Sequence, residues 1–146
     1  MNMPLTESWL PWALLSAVFA ALTAILAKLG LEGIDPDFAT LVRTFVILIV
    51  LGLLVLLTGK WRNPLAIEAK PMMFLTLSGL ATGASWVCYF RALKVGDAAK
   101  VAPVNKLSLL LVVGFAAVFL KERLNAREWL GVALVAMGVI LLGFKK

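Results

Sequence analysis

Residues 38–58 read FATLVRTFVILIVLGLLVLLT, and this stretch decides the fold class. It holds one charged residue, Arg43, among otherwise apolar or weakly polar side chains. A membrane-spanning helix needs about 20 mostly apolar residues to cross a hydrocarbon core about 30 Å thick. A β-barrel strand would instead alternate over about 10 residues, and the run Val46 to Leu51 does not alternate. The stretch therefore predicts a transmembrane α-helix.

Four further apolar stretches flank it, and together they fill almost the whole chain. We predict an all-α integral membrane protein with five transmembrane helices, at residues 9–30, 38–58, 72–93, 101–120 and 129–144, in a single domain over residues 1–146. Asp37 is expected to cap the second helix, and Pro103 to lie in the first turn of the fourth.

The composition agrees with a membrane protein and argues against other classes. The hydrophobic share is 62%, against about 45–50% in an ordinary soluble protein. The net charge of +6 is better explained by anionic lipid headgroups than by nucleic acid. Residues 1–8 contain no Lys or Arg, so the first stretch is interpreted as a retained helix and not as a signal peptide. We expect a multi-pass protein of the plasma or inner membrane.

The basic residues that flank the helices give almost no orientation bias. One side would carry six of them and the other four, or eight if basic residues just inside the helix ends are added. The six are Lys60, Arg62, Lys70, Lys121, Arg123 and Arg127; the four are Lys94, Lys100, Lys145 and Lys146. Orientation follows the Lys and Arg bias of short loops, so a chain with no bias is expected to insert both ways.

Four basic residues fall within the predicted helices, all towards the same side of the membrane: Lys28, Arg43, Arg91 and Lys106. A charge inside the bilayer is costly and usually faces a cavity or marks a pathway. The alternative is snorkelling, in which a long side chain bends back to the headgroups. Arg43 and Lys106 are the deep ones, about five residues inside their predicted helices, and Lys28 and Arg91 are shallower. We take all four as candidate substrate-binding residues.

The third helix carries a polar stripe of residues at spacings of four, three and four: Ser78, Thr82, Ser85 and Tyr89. Trp86 lies beside it, and Gly79 and Gly83 form a pair that permits close helix contact. Matching polar positions occur at Ser16 and Thr23 on the first helix and at Asn105 and Ser108 on the fourth. These residues either bond helices together or line a cavity. In the second case Trp86, Tyr89, Asn105 and Ser108 would bind substrate, while Ser16, Thr23, Ser78, Thr82 and Ser85 would line the pathway.

Catalysis and cofactor binding find little support in the sequence. The chain has no His, one Cys and no glycine-rich phosphate loop. Cys88 has no His or acidic neighbour at metal-ligand spacing. We expect no enzyme activity, no cofactor and no metal.

Several short motifs, in order along the chain, resemble the EamA domain of the drug/metabolite transporter superfamily. The first half carries Ala27-Lys28, Asp35-Pro36 and Leu41-Val42-Arg43. The second half carries Arg91-Ala92-Leu93, Pro103, Lys121-Glu122-Arg123-Leu124 and Trp129-Leu130-Gly131. The resemblance implies one five-helix repeat of a fold that usually contains two inverted repeats, with a pathway formed mainly by the first four helices.

These observations together predict a transporter, either an exporter or an exchanger, of a small polar metabolite that is anionic or zwitterionic. It would work as an antiparallel homodimer, or with a paired homologous subunit, in the lipid bilayer. Two alternatives stay open: a flippase for a phosphate-linked lipid carrier, and a membrane scaffold that transports nothing.

Overall fold

The computed structural model describes residues 9–121 and 125–143, and within these ranges the chain is helical with no strand. The helices are α1 (Trp9–Gly30), α2 (Pro36–Leu57), α3 (Ala69–Val95), α4 (Ala98–Asn105), α5 (Ser108–Phe115) and α6 (Ala126–Gly143). A 3₁₀ turn spans Pro64–Ala66, and a π-helical turn spans Ala116–Leu120. The all-α prediction is confirmed. The predicted end of the last helix at Phe144 lies outside the described residues, as do Arg123, Lys145 and Lys146.

Four segments of the described chain are long and apolar enough to cross a bilayer: Trp9–Gly30, Pro36–Leu57, Ala69–Val95 and Ala98–Leu120. The fourth combines α4, α5 and the π-helical turn. The membrane class is thus supported, whereas α6, which has 18 residues, is not among the four segments. A fifth crossing remains a prediction.

The start of α2 differs from the predicted start at Phe38. The N-cap is Asp35, not Asp37, and its carboxylate accepts hydrogen bonds from the backbone N–H groups of Asp37 and Phe38 at 2.9 and 3.1 Å. Pro36 occupies the first helical position, where a missing N–H costs nothing and the fixed φ suits a helix. The sequence Asp-Pro therefore starts the helix earlier, and Asp37 becomes a first-turn residue.

The predicted fourth helix is not continuous. It starts at Ala98, so Pro103 lies inside α4 rather than in its first turn. At the junction with α5 the backbone forms 3₁₀-type hydrogen bonds, in which each N–H donates to the carbonyl oxygen three residues earlier. The N–H groups of Lys106 and Leu107 donate to the carbonyl oxygens of Pro103 and Val104, at 2.8 and 3.0 Å. A proline in a helix interior removes one backbone hydrogen bond and weakens the helix. The bond lost at Pro103 is the one to the Ala99 carbonyl, on the N-terminal side of the proline. The 3₁₀ turn at Lys106 and Leu107 follows three residues later, and we call this turn the break between α4 and α5.

The third helix is longer at both ends than the predicted 72–93, and the last one begins at Ala126 rather than Trp129. Helix ends read from apolar length alone miss the polar turns that continue the backbone hydrogen bonding beyond the hydrocarbon. By contrast, α1 ends at Gly30 as predicted, and it is helical from Trp9, the first described residue.

The chain divides into two compact units. One unit is Leu26–Val95, and the other combines the described residues up to Ile25 with those from Gly96 onwards. In the first unit the buried side chains cluster where α1 ends, α2 begins and α3 ends: Leu31 at 2% exposure, Thr40 at 6%, Phe90 at 3% and Leu93 at 0%. In the second unit α4 and α5 pack against α6. Most other large apolar side chains are exposed, as expected for helices that face lipid or another subunit.

Candidate functional site

Arg43 on α2 lies against aromatic rings of α3 in the unit Leu26–Val95. Its guanidinium carbon is 4.3 Å from the centroid of the Trp86 ring and 5.3 Å from that of Phe90. Trp86 and Phe90 are one helical turn apart, so both project towards the same neighbour. Arg43 is seven residues beyond Pro36, about 10 Å along the helix axis at about 1.5 Å per residue. The structure thus brings two of the predicted site residues, Arg43 and Trp86, into direct contact.

Arg43 has no carboxylate partner within residues 9–121 and 125–143. A cation over an aromatic face is attracted by the quadrupole of the ring, and the contact is stronger where water is excluded. It does not, however, satisfy the five N–H donors of a guanidinium. A half-buried arginine with aromatic contacts and unused donors is suited to bind an anionic group.

Tyr89 borders this group from the position just before Phe90 on α3. Its ring meets that of Phe90 edge-on, with the centroids 6.4 Å apart, and it is half-buried. Arg43, Trp86, Phe90 and Tyr89 therefore form one group of neighbouring side chains between α2 and α3.

Lys28, a candidate substrate-binding residue, contacts the backbone of α3. Its Nζ donates to the carbonyl oxygen of Leu93 at 2.6 Å. The last carbonyls of a helix have no intrahelical donor, and a lysine near them is favourable. Lys94 acts in the reverse direction, because its Nζ donates to the carbonyls of Leu31 and Ile34 at 2.6 and 3.0 Å. Lys28 thus ties the end of α1 to the end of α3, and Lys94 ties the end of α3 to the α1–α2 loop.

Arg91, the other shallow cation, pairs with Asp37. Its Nε and Nη2 donate to the two carboxylate oxygens at 2.8 and 2.6 Å. This bidentate geometry joins the last turns of α3 to the first turn of α2. Both side chains are exposed, and an anion would have to compete with Asp37 for Arg91.

The polar stripe of α3 is exposed on the surface of the chain at Ser78, Thr82 and Ser85. The Thr82 hydroxyl donates to the carbonyl of Ser78, one turn earlier, at 2.9 Å, so it is satisfied within its own helix. A Cβ added to Gly79 or Gly83 would meet no described heavy atom within 4 Å apart from the nearby backbone of its own helix. The close helix contact expected at these glycines is therefore not formed within the described chain.

The second unit contains the other predicted residues. Asn105, Lys106 and Ser108 are exposed around the break between α4 and α5. On α1, Ser16 is exposed and Thr23 half-buried. Their roles as substrate-binding or pathway-lining residues remain predictions. In the part of the chain that is described, no group of His, Cys, Asp or Glu residues could hold a metal ion.

Three residues that form these contacts were not among the candidate site residues predicted from the sequence. Phe90 supplies the second ring at Arg43, Asp37 pairs with Arg91, and Lys94 binds the loop carbonyls. The spacing of Trp86 and Phe90 was a usable signal, because residues four apart share a helix face. Nothing in the sequence indicated the Asp37–Arg91 pair, since it depends on how α2 and α3 pack.

Comparison with protein-family models identifies the family of the chain. The model of the EamA-like transporter family matches residues 7–144. The chain belongs to the EamA-like transporter family. The resemblance noted in the sequence is thereby confirmed, and a multi-pass membrane protein of a transporter family is established.

Relatives of this EamA-like protein fall into two sizes. An "uncharacterized transporter in cobO 3′ region" of a Sinorhizobium species is 57% identical over 138 residues, which cover 94% of this chain and 98% of the relative. An uncharacterized protein of Methanocaldococcus jannaschii is 30% identical over 129 residues, 88% of this chain and 91% of the relative. An uncharacterized transporter of Pseudomonas aeruginosa is 32% identical over 83 residues, 56% of this chain but 27% of the relative. No solved structure matches the chain.

Proposed function

We propose that this EamA-like protein transports a small polar metabolite with an anionic group, either an anion or a zwitterion, and exports or exchanges it across the plasma or inner membrane. The observation that carries the proposal is Arg43, held at Trp86 and Phe90 about 10 Å along α2 with no carboxylate among the described residues. Ligand sites typically combine an apolar, aromatic lining with a few placed polar groups, and an intramembrane arginine marks a substrate pathway by default.

Lys106 supports the same reading independently. It lies at the break between α4 and α5, and transporters commonly build their substrate sites from discontinuous helices, where irregular backbone faces a cavity. Lys106 is exposed at this turn, and its ammonium group is proposed as the second cation of the site.

The working unit is proposed to be an antiparallel homodimer, with a homologous subunit of opposite orientation as the alternative partner. Secondary transporters bind substrate between inverted repeats, and two of the relatives match the chain over almost their whole length. The longer Pseudomonas relative matches over only 27% of its length. Near-equal flanking charge allows both orientations. A reporter fused after Lys146 should give signal on both sides of the membrane, whereas signal on one side only in a functional protein expressed alone would exclude dual topology.

Transport is tested with purified protein in liposomes. A thermal-shift screen against metabolite pools first identifies a ligand, because a ligand in excess of its Kd stabilises the folded state by a few kcal/mol (about 2.7 kcal/mol at 100 Kd). Uptake of that ligand is then measured with the wild type and with Arg43→Gln. Arg62→Gln is the matched control, because Arg62 has the same chemistry but lies in the exposed α2–α3 loop. Equal uptake by all three proteins would refute the role of Arg43. A hit that competes only with long-chain lipids would indicate the flippase alternative, and no uptake of any ligand would favour a scaffold.

A further inference from the structure

We propose that Trp86 is a positioning residue for Arg43 and not a surface on which the substrate stacks. This inference rests on the proposed anion-binding function and specifies how the same site works. Trp86 and Phe90 would hold the guanidinium at a fixed place, so that its N–H edge is presented to a carboxylate, sulfonate or phosphate group.

The geometry assigns the Trp86 ring to Arg43. With the guanidinium carbon 4.3 Å from the ring centroid, the cation covers the face of the indole that α3 presents to α2. Phe90, which is only 3% exposed, lies 5.3 Å away and limits movement on the neighbouring turn. A guanidinium carries its five N–H donors in its plane, and a stacked guanidinium keeps that edge free for a planar or tetrahedral oxyanion.

Without the contacts to Trp86 and Phe90, here called the aromatic clamp, the Arg43 side chain could adopt another conformation. At about 10 Å along the helix it could bend its charged end towards the headgroups, as arginines near helix ends do. Aromatic stacking favours the inward rotamer, because the ring quadrupole attracts the cation where water is scarce. The ring therefore keeps the charge at the depth where a translocating molecule would meet it.

The aromatic clamp also determines which charged groups of a ligand the site accepts. An ammonium group would meet the positive charge of Arg43 and an indole face that is already occupied. The acidic residue of α2, Asp37, is engaged with Arg91, and the other acidic residues of the described chain lie in connections or at the first turn of α6. The site therefore favours an oxyanion without a nearby ammonium group, which narrows the proposed substrates from zwitterions to anions.

The first test detects the contact between Arg43 and Trp86 by NMR. Protein labelled with ¹⁵N-arginine gives one Nε–Hε signal for each arginine, and the Arg43 signal is assigned from its loss in Arg43→Gln. Stacking on Trp86 should shift the Hε resonance upfield relative to that of the exposed Arg62. Titration with sulfate, the probe anion, should then move the Arg43 signal with saturation, while the Arg62 signal responds only weakly.

Variants of Trp86 separate positioning from ligand contact. Trp86→Leu should return the Arg43 signal to the region of exposed arginines and weaken sulfate binding about as much as Arg43→Gln does. Trp86→Phe keeps an aromatic face and should restore most of the affinity. Combining Trp86→Leu with Arg43→Gln should cost no more than Arg43→Gln alone, because residues that act as one unit are not additive.

A chemical series covers the case in which Trp86→Leu does not fold. Fluorinated tryptophans, placed at Trp86 with the other tryptophans replaced by Phe, withdraw electrons from the ring at nearly constant volume. If the ring holds Arg43, sulfate affinity falls stepwise with each fluorine. An affinity that rises, as direct stacking of the anion on the ring would require, or one that stays constant would overturn the positioning role. Failure of the proposed function looks different: sulfate would then move no Arg43 signal even in the wild type.

Discussion

The two deep basic residues of this chain, Arg43 and Lys106, are placed in opposite ways. Arg43 lies within the unbroken helix α2, and its charge rests on the rings of Trp86 and Phe90. Lys106 lies where α4 gives way to α5 and is exposed. In one region a regular helix presents the cation and a neighbouring helix holds it. In the other, the cation lies at a 3₁₀ turn between two short helices.

The difference follows from the chemistry of the two side chains. A guanidinium is planar and weakly hydrated, so it stacks on aromatic rings and can be held without a counter-ion. An ammonium is a compact, strongly hydrated charge, and Lys106 is accordingly exposed. Arg43 is therefore expected to give orientation to a bound anion, and Lys106 to give charge.

The largest expected effect comes from Arg43→Gln. A charge-assisted hydrogen bond contributes about 1.5–3 kcal/mol, so substrate affinity should fall about 10- to 150-fold. Arg43→Lys should recover only part of the loss, because an ammonium cannot present a bidentate fork. Equilibrium binding of the screened ligand measures both values.

Lys106→Gln is the counterpart on the broken helix and should also weaken binding, while Lys106→Arg should behave as the wild type because a point charge suffices there. Arg62→Gln serves as the control for both residues. If the Gln variants of Arg43 and Lys106 both bind and transport normally, the two cations only snorkel and the anion hypothesis fails with them.

Pro103→Ala tests whether the proline inside α4 matters. Proline is about 3 kcal/mol less favourable than alanine in a helix interior, so the variant should be more stable by about 1–3 kcal/mol. Transport should nevertheless slow, because the restored hydrogen bond to the Ala99 carbonyl would straighten the helix just before Lys106 and change the direction of its charge. Thermal unfolding in detergent and liposome uptake are measured on the same preparation. Higher stability with unchanged uptake would show that the proline has no function in transport.

The helix caps of the two regions give a smaller contrast. Asp35 accepts two backbone hydrogen bonds as the cap of α2, whereas Asp97 makes no side-chain cap bond at α4 and pairs with Lys100 at 2.9 Å instead. Asp35→Ala should destabilise the protein by about 1 kcal/mol, and Asp97→Ala by less. Equal losses in chemical or thermal unfolding would contradict the assigned cap.

The smallest effect is expected at the Asp37–Arg91 pair. Although bidentate, it is exposed on both sides, and exposed ion pairs contribute little to stability. Asp37→Asn should leave the melting temperature nearly unchanged, and raising the salt concentration should remove any remaining difference. A large drop would mean that the pair is shielded from water in the assembled protein.

Apolar length predicted the helical membrane class, because the need to satisfy every backbone group in lipid leaves few alternatives. It also placed the end of α1 correctly at Gly30. It misplaced the helix starts at Pro36, Ala69 and Ala126, since polar capping turns lie outside the apolar run. It also joined α4 and α5 into one helix. Hydropathy does not register a change in backbone hydrogen bonding within an apolar stretch.

The sequence by itself determined that the chain is a helical membrane protein of the EamA-like family and that Arg43 and Lys106 are its deep basic residues. It also presented Trp86 and Tyr89 as site candidates. Only the tertiary structure decided that Trp86 and Phe90 hold Arg43, that Lys28 binds the Leu93 carbonyl, and that Arg91 is engaged by Asp37. These partners lie on different elements, far apart in the chain. Residue spacing within one helix fixes which side chains share a face, but the packing of α2 against α3 fixes what each face meets.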